Sequence, residues 1–235
     1  MSEQARPPVE RPPEDLKARL LAAAAREPAT RPGNWRRRVA AAAVAGASWL
    51  AIALFAKGLR HDWSDLPVAA WALTIIVLTV SAAAATSVVF RRGPAMVGAG
   101  MGALSVAVWG VPVALVVLVS AVDPCGASTV QTTSGGVLGR AAGCLGLTVT
   151  LGLPLIGLGL MVLRGLTLSR PAVVGASLGL GAATWAHVVV RMHCPVGGFD
   201  HALLGHVLSV LLLMALGAWA TWALDRRALA PRRKP

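Results

Sequence analysis

Arg191-Met192-His193-Cys194-Pro195-Val196-Gly197-Gly198-Phe199-Asp200-His201 separates two runs, residues 172–190 and 202–224, that contain no Asp, Glu, Lys or Arg. A bilayer's hydrocarbon core, about 30 Å thick, takes roughly 20 helical residues, and both runs come close to that length. The pattern is that of two membrane-crossing helices joined by a short polar connection. Two histidines, a cysteine, an acid, an arginine and a Pro-Val-Gly-Gly turn are concentrated there. Turn residues and polar side chains are expected wherever a chain leaves the bilayer and reverses, so a solvated turn and a chemical site both fit the stretch.

The rest of the chain repeats this arrangement. Of 235 residues 56% are apolar and 14% charged, with a mean hydropathy of +0.67. An ordinary soluble domain with that composition would have too little polar side-chain surface to cover itself. Six apolar segments meet the crossing length, at about 39–56, 67–90, 95–120, 137–163, 172–190 and 202–224, which predicts an all-α integral membrane protein with six transmembrane helices. Net charge is +12, a value that in a soluble chain would point to nucleic acid. Here the basic residues sit at helix ends. Arg36, Arg37, Arg38, Arg91, Arg92, Arg164, Arg170, Arg226, Arg227, Arg232, Arg233 and Lys234 fall on one side, whereas Lys57, Arg60, Arg140 and Arg191 fall on the other. The positive-inside rule then places both termini in the cytoplasm and removes direct nucleic-acid binding as an explanation. No cleavable signal is expected, since the first 38 residues are polar. A bias to Ala, Gly and Arg with no Tyr suggests a GC-rich bacterial genome, and hence the inner membrane.

Three regions follow: a cytoplasmic leader at 1–38, a six-helix transmembrane domain at 39–224 and a basic cytoplasmic tail at 225–235. Within the leader, residues 1–13 are rich in proline and charge and are expected to be disordered. Residues 14–27 predict one short amphipathic helix, with Glu14 and Asp15 in its first turn and Pro28 as its stop. Leu16, Leu20 and Ala23 or Ala24 form a narrow apolar stripe, with Leu21 beside it. A lone helix of this length is marginal in water. Its stripe must lie on the lipid surface, on the protein's own cytoplasmic face or in a partner's groove; the absence of aromatics and the interspersed acids make the groove at least as good a fit as lipid.

Beyond the leader, Trp63 reads as an interface aromatic, Gly98 and Gly102 as a close-packing pair, and Pro112 and Pro154 as kinks. The three cysteines, Cys125, Cys144 and Cys194, fall on or near the outer side, where oxidising conditions permit a Cys125–Cys194 or a Cys144–Cys194 bridge. Cys144, Cys194, His193, His201 and, less directly, Asp200 or His206 are ligand types suited to a borderline or soft divalent ion. Their spacing matches no metal motif: His201 and His206, five apart, diverge by about 140° around an α-helix. Transient metal sensing is therefore favoured over a stable structural metal, and no bound cofactor is expected. His187 and His206 lie at membrane depth, where ionisable groups face the bundle interior. Ser134-Gly135 lacks the surroundings of a serine nucleophile, and no closely paired cysteines support a thiol oxidoreductase, so no enzyme is predicted.

Taken in order, Cys144-Leu145, Leu153-Pro154, Leu163-Arg164, Pro171 opening a Gly-rich helix, and His193-Cys194-Pro195 just beyond it resemble the NrsF-like negative regulators of extracytoplasmic-function sigma factors. About sixty residues carry the resemblance, with the six-helix layout and short leader beside it. It implies an inner-membrane anti-sigma factor, bound in the lipid bilayer, whose cytoplasmic face withholds a sigma factor from RNA polymerase until an envelope signal releases it. The family's important cysteine pair then falls on Cys144 and Cys194, with His193 and His201 as neighbours in signal sensing; Cys125 is an addition. Where the family has aromatic residues after His-Cys-Pro, this chain has Ala202-Leu203-Leu204-Gly205-His206. Leu16, Leu20 and Leu21, oriented by Glu14 and Arg19, are the expected sigma contact. The competing expectation is a small transporter or receptor that uses the His/Cys outer loop as its entry site.

Overall fold

The computed structural model describes residues 33–60, 68–90, 110, 136–164, 166, 168, 170–194 and 199–229. Two compact units divide the chain, Met1–Arg37 and Arg38–Pro235. Of the first, only the opening residues of one helix, Gly33 onward, are described, with Trp35 buried. The leader residues Glu14, Leu16, Arg19, Leu20 and Leu21, the third apolar run at 95–120 with Gly98, Gly102 and Pro112, and Cys125 all lie outside the described residues.

Among those described, the regular structure is helical: α1 (Gly33–Lys57), α2 (Val68–Phe90), α3 (Gly136–Leu163), α4 (Pro171–His193), a helical turn at Phe199–His201 that continues into a π-helical segment, Ala202–Val207, and α5 (Leu208–Leu229). Five helical stretches are long and apolar enough to cross a membrane: Trp35–Lys57, Trp71–Phe90, Leu138–Leu163, Pro171–His193 and Ala202–Arg226. They correspond to five of the six segments read from the sequence.

Side-chain placement is that of a protein dissolved in lipid. Large apolar groups point outward, with Phe55 88%, Val44 67% and Trp219 64% exposed. Hydroxyls are held within: Thr148, Ser177, Thr184, Ser209 and Thr221 are fully buried. A buried hydroxyl without a partner costs free energy, and each is satisfied within a helix or across one. Thr148 donates to the Cys144 carbonyl at 2.9 Å, Ser177 to Val173 at 3.1 Å, Thr184 to Leu180 at 2.8 Å and Ser209 to His206 at 2.7 Å. Such back-bonding lets Ser and Thr sit at membrane depth.

α4 is the axis of the second unit, packed against α2, α3 and α5. Its composition explains why. A Cβ built on Gly175 would strike the Thr221 hydroxyl and the Gly217 carbonyl, and one on Gly179 would strike the Leu213 carbonyl. α4 and α5 therefore meet backbone to backbone, the small-residue packing that helices use where lipid removes the hydrophobic drive to associate. Thr221 adds a crossing hydrogen bond to the Pro171 carbonyl at 2.7 Å. α4 itself starts abruptly, with Pro171 at its first turn after Arg170 in the left-handed region at φ 61°. The fixed φ of proline suits a helix's first turn.

Polar links join the other helices. The Trp185 indole donates to the Thr86 hydroxyl at 3.2 Å, and Thr86 donates to Ala82 at 2.7 Å. The Trp49 indole donates to the Leu151 carbonyl at 3.1 Å, just ahead of Pro154, which lies inside a helix that continues past it. Neighbouring donors of this kind are what make proline tolerable in a membrane helix.

Helix ends sort into two groups. At one end, Arg38 donates to the Arg164 carbonyl at 3.3 Å, and the Thr221 to Pro171 bond joins the end of α5 to the start of α4. At the other, the Arg60 amide donates to the Met192 carbonyl at 3.0 Å.

Candidate functional site

The polar cluster lies at this second end, where α3 begins, α4 stops and the π-helical segment starts. Cys144 is carried two turns into α3. Cys194 caps α4: its amide donates to the Val190 carbonyl at 2.7 Å, while its own backbone is extended, φ −82° and ψ 116°. The chain thus leaves the helix at the cysteine and turns the side chain back toward α3. The two sulfurs are 3.3 Å apart, and no disulfide joins them. Below them Leu151, Ala186, Val189 and Val190 form a buried apolar floor, flanked by Trp49, Leu50, Ala53 and Leu54 of α1.

His201, also buried, approaches from the helical turn Phe199–His201, its Nε2 at 3.4 Å from the Cys194 sulfur. Cys144 donates to Cys194, and the direction of the Cys194–imidazole contact follows the tautomer of His201, so the three form a short chain of polar contacts. His206 joins them. Its ring centroid lies 5.2 Å from that of His201 and 5.1 Å from that of His187. One donor atom from each of Cys144, Cys194, His201 and His206 can be chosen so that all four lie within 4.8 Å of one another.

This corrects the spacing argument. Five residues separate His201 from His206, and in an α-helix they would face different ways. The intervening segment is wound more widely, as the Leu208 amide bonding back to the Leu203 carbonyl shows. In a π-turn the i to i+5 bond stacks residues five apart, which puts both imidazoles on one side. Gly205 suits that side: a Cβ there would stand 3.3 Å from the Ala141 carbonyl and 3.3 Å from Cys144 Cβ, close enough that a neighbour would have to give by a few tenths of an ångström. A glycine immediately before a histidine amid bulky apolar residues was the available signal, and periodicity alone did not show it.

His193 is placed elsewhere. Its Nδ1 is 3.3 Å from the Gly58 carbonyl, so it ties the end of α4 to the end of α1 rather than lining the thiol pair. Asp200 is exposed. His187 lies deeper, its Nδ1 donating to the Ala183 carbonyl at 2.8 Å. Because a carbonyl only accepts, His187 Nε2 carries a lone pair. That atom is buried and finds no partner among the described residues, as is also true of His201 Nδ1 and His206 Nδ1.

Two soft sulfurs and two imidazoles facing one point can bind a metal ion; the sulfurs alone can be oxidised to a disulfide, closing from 3.3 Å to about 2.05 Å.

Residues 21–226 match the family model NrsF, described as negative regulator of sigma F. The anti-sigma-F factor NrsF of Caulobacter vibrioides (strain NA1000 / CB15N) is 38% identical over 72 residues, which are 31% of this chain and 34% of that protein; the matched segment spans about a third of the relative's length. No solved structure matches. A match that runs from the leader through all five described membrane-length helices, with the two cysteines and their histidines inside it, makes the chain a member of the NrsF family of negative regulators of sigma F.

Proposed function

We propose that this protein is an anti-sigma factor that holds an extracytoplasmic-function sigma factor at the cytoplasmic membrane and releases it when the thiol cluster meets an envelope signal. The observation that carries this is the family match across 21–226, which includes Cys144 and Cys194 at a sulfur separation of 3.3 Å. The leader at 1–38, with Leu16, Leu20 and Leu21 as apolar contacts and Glu14 and Arg19 orienting them, supplies the sigma-binding helix. An amphipathic helix of this kind fits a groove on a partner protein.

Six crossings with both termini cytoplasmic suit the described helices. Arg38, Arg164, Arg170 and Arg226 stand at one group of helix ends, the side that the positive-inside rule assigns to the cytoplasm. Phe90, at the end of α2, shares an apolar recess with Val39 near the start of α1, whereas α3 begins at the opposite end, beside Cys194. The chain between Phe90 and Gly136 contains the apolar run 95–120, and one further crossing by that run reconciles the two ends. The cysteine cluster then faces the envelope.

In this scheme metal binding or oxidation at Cys144 and Cys194 shifts α3 and α4 relative to α5 and alters how the inner face presents the leader. A signal does this only if it binds the two arrangements unequally. Co-purification from native membranes tests the core of the proposal. A sigma factor should accompany the full-length protein and be lost from a chain lacking residues 1–33; recovery of none with either chain would overturn the anti-sigma reading.

A further inference from the structure

We propose that Cys144, Cys194, His201 and His206 form a resident site for a divalent ion of the zinc class, completed by the π-helical turn. This deepens the reading of the cluster as the signal-receiving end, and it stands on four donors rather than on the thiol pair alone. A tetrahedral site with Zn–S near 2.3 Å and Zn–N near 2.0–2.1 Å has donor–donor edges of about 3.8 Å between sulfurs and about 3.5 Å between sulfur and nitrogen. Here the sulfurs are 3.3 Å apart, Cys194 Sγ is 3.4 Å from His201 Nε2, and all four donors lie within 4.8 Å of one another. Closure onto an ion takes side-chain movements of about an ångström and leaves every helix wound.

Charge favours the same ion. Two thiolates and two neutral imidazoles balance a dication to zero, which is the least costly charge to place over an apolar floor. Zinc also imposes no geometric preference of its own on a tetrahedral donor set. The His206 and His187 ring centroids are 5.1 Å apart, and His187 Nε2 is a buried acceptor without a partner among the described residues; when His206 ligates through one nitrogen, that acceptor is the candidate partner for its other N–H. An outer acceptor of this type fixes the tautomer and orientation of a ligating histidine. Departures from α winding of this kind are frequent at functional sites, and Gly205 is the residue that lets this one close on Cys144.

The test uses the full-length protein in lipid nanodiscs, stripped with a chelator and titrated with Zn²⁺ against a chromophoric competitor, with Co²⁺ as a spectroscopic substitute. One ion per chain is expected, and the cobalt form should show intense tetrahedral bands with thiolate charge transfer. Cys144→Ser, Cys194→Ser, His201→Gln and His206→Gln should each weaken binding by at least about tenfold, whereas His193→Gln should not, because His193 is turned to Gly58. His206→Cys, which keeps a ligand, should restore affinity in a variant whose gel-filtration profile is native. No stoichiometric ion in the native protein overturns the site. So does unchanged affinity in both His201→Gln and His206→Gln, which would leave a bare dithiol. No sigma factor is present in these titrations, so their failure removes the metal site and leaves the anti-sigma reading standing.

Discussion

Cys144 and Cys194 come from residues fifty positions apart, yet the extended backbone at the end of α4 leaves their sulfurs little further to travel. In metal-free protein a mild thiol oxidant should therefore join Cys144 to Cys194, read as a loss of two hydrogens and a single cross-linked peptide; a product linking Cys125 to either, in their place, would contradict the observed placement. Trp49 makes a smaller contribution of a different kind. Trp49→Phe removes the donor to the Leu151 carbonyl and should destabilise the bundle by about 0.6 kcal/mol, measurable by unfolding in mixed micelles. Which side chains meet was only partly readable beforehand. The ligand types and their common side of the membrane follow from order along the chain, but His193 and His206 exchange importance, because the end of α4 turns His193 toward Gly58 and the π-turn swings His206 inward. Neither event leaves a mark in apolar periodicity.

Helices as units were far more readable. A run long enough to cross the bilayer has few alternatives once every backbone group must be bonded internally, so segments 137–163 and 172–190 reappear almost unchanged as Gly136–Leu163 and Pro171–His193. What length cannot reveal is how a helix is wound or which face it turns inward. Two predictions follow at this level. Deleting Leu204 should return the π-helical segment to α winding with His201 and His206 four apart, about 40° around the helix, so the four-donor site should survive while circular dichroism stays helical; loss of metal affinity would show that the wide turn itself is required. On α4, Gly179→Leu should cost about 2 kcal/mol or more through overpacking against the α5 backbone, while Gly146→Ala, where a Cβ meets open space, should cause no loss. Equal effects in the two variants would refute the backbone contact.

At the largest scale, Arg38, Arg164, Arg170 and Arg226 stand at one set of helix ends of the second unit and the thiol cluster at the other, so its two ends differ in chemistry. If the leader grips the sigma factor as proposed, Leu16→Asp with Leu20→Asp should release it, with reporter transcription rising to the level of a null strain and the protein remaining in the membrane fraction. Full sequestration by that variant would move the contact to the inner loops. Alkaline phosphatase fused after Pro235 should be inactive, as expected for a cytoplasmic tail; an active fusion would invert the topology.

The meeting of Gly175 and Gly179 with Gly217 bears on the form of any response. Side chains at an interface yield by degrees, each hopping among rotamers, but peptide planes in direct contact have none to exchange. They are seated or they are displaced, as tightly packed interfaces tend to be. A weak stimulus would then be registered as a small fraction of molecules fully switched, and dose would be counted in molecules rather than in ångströms.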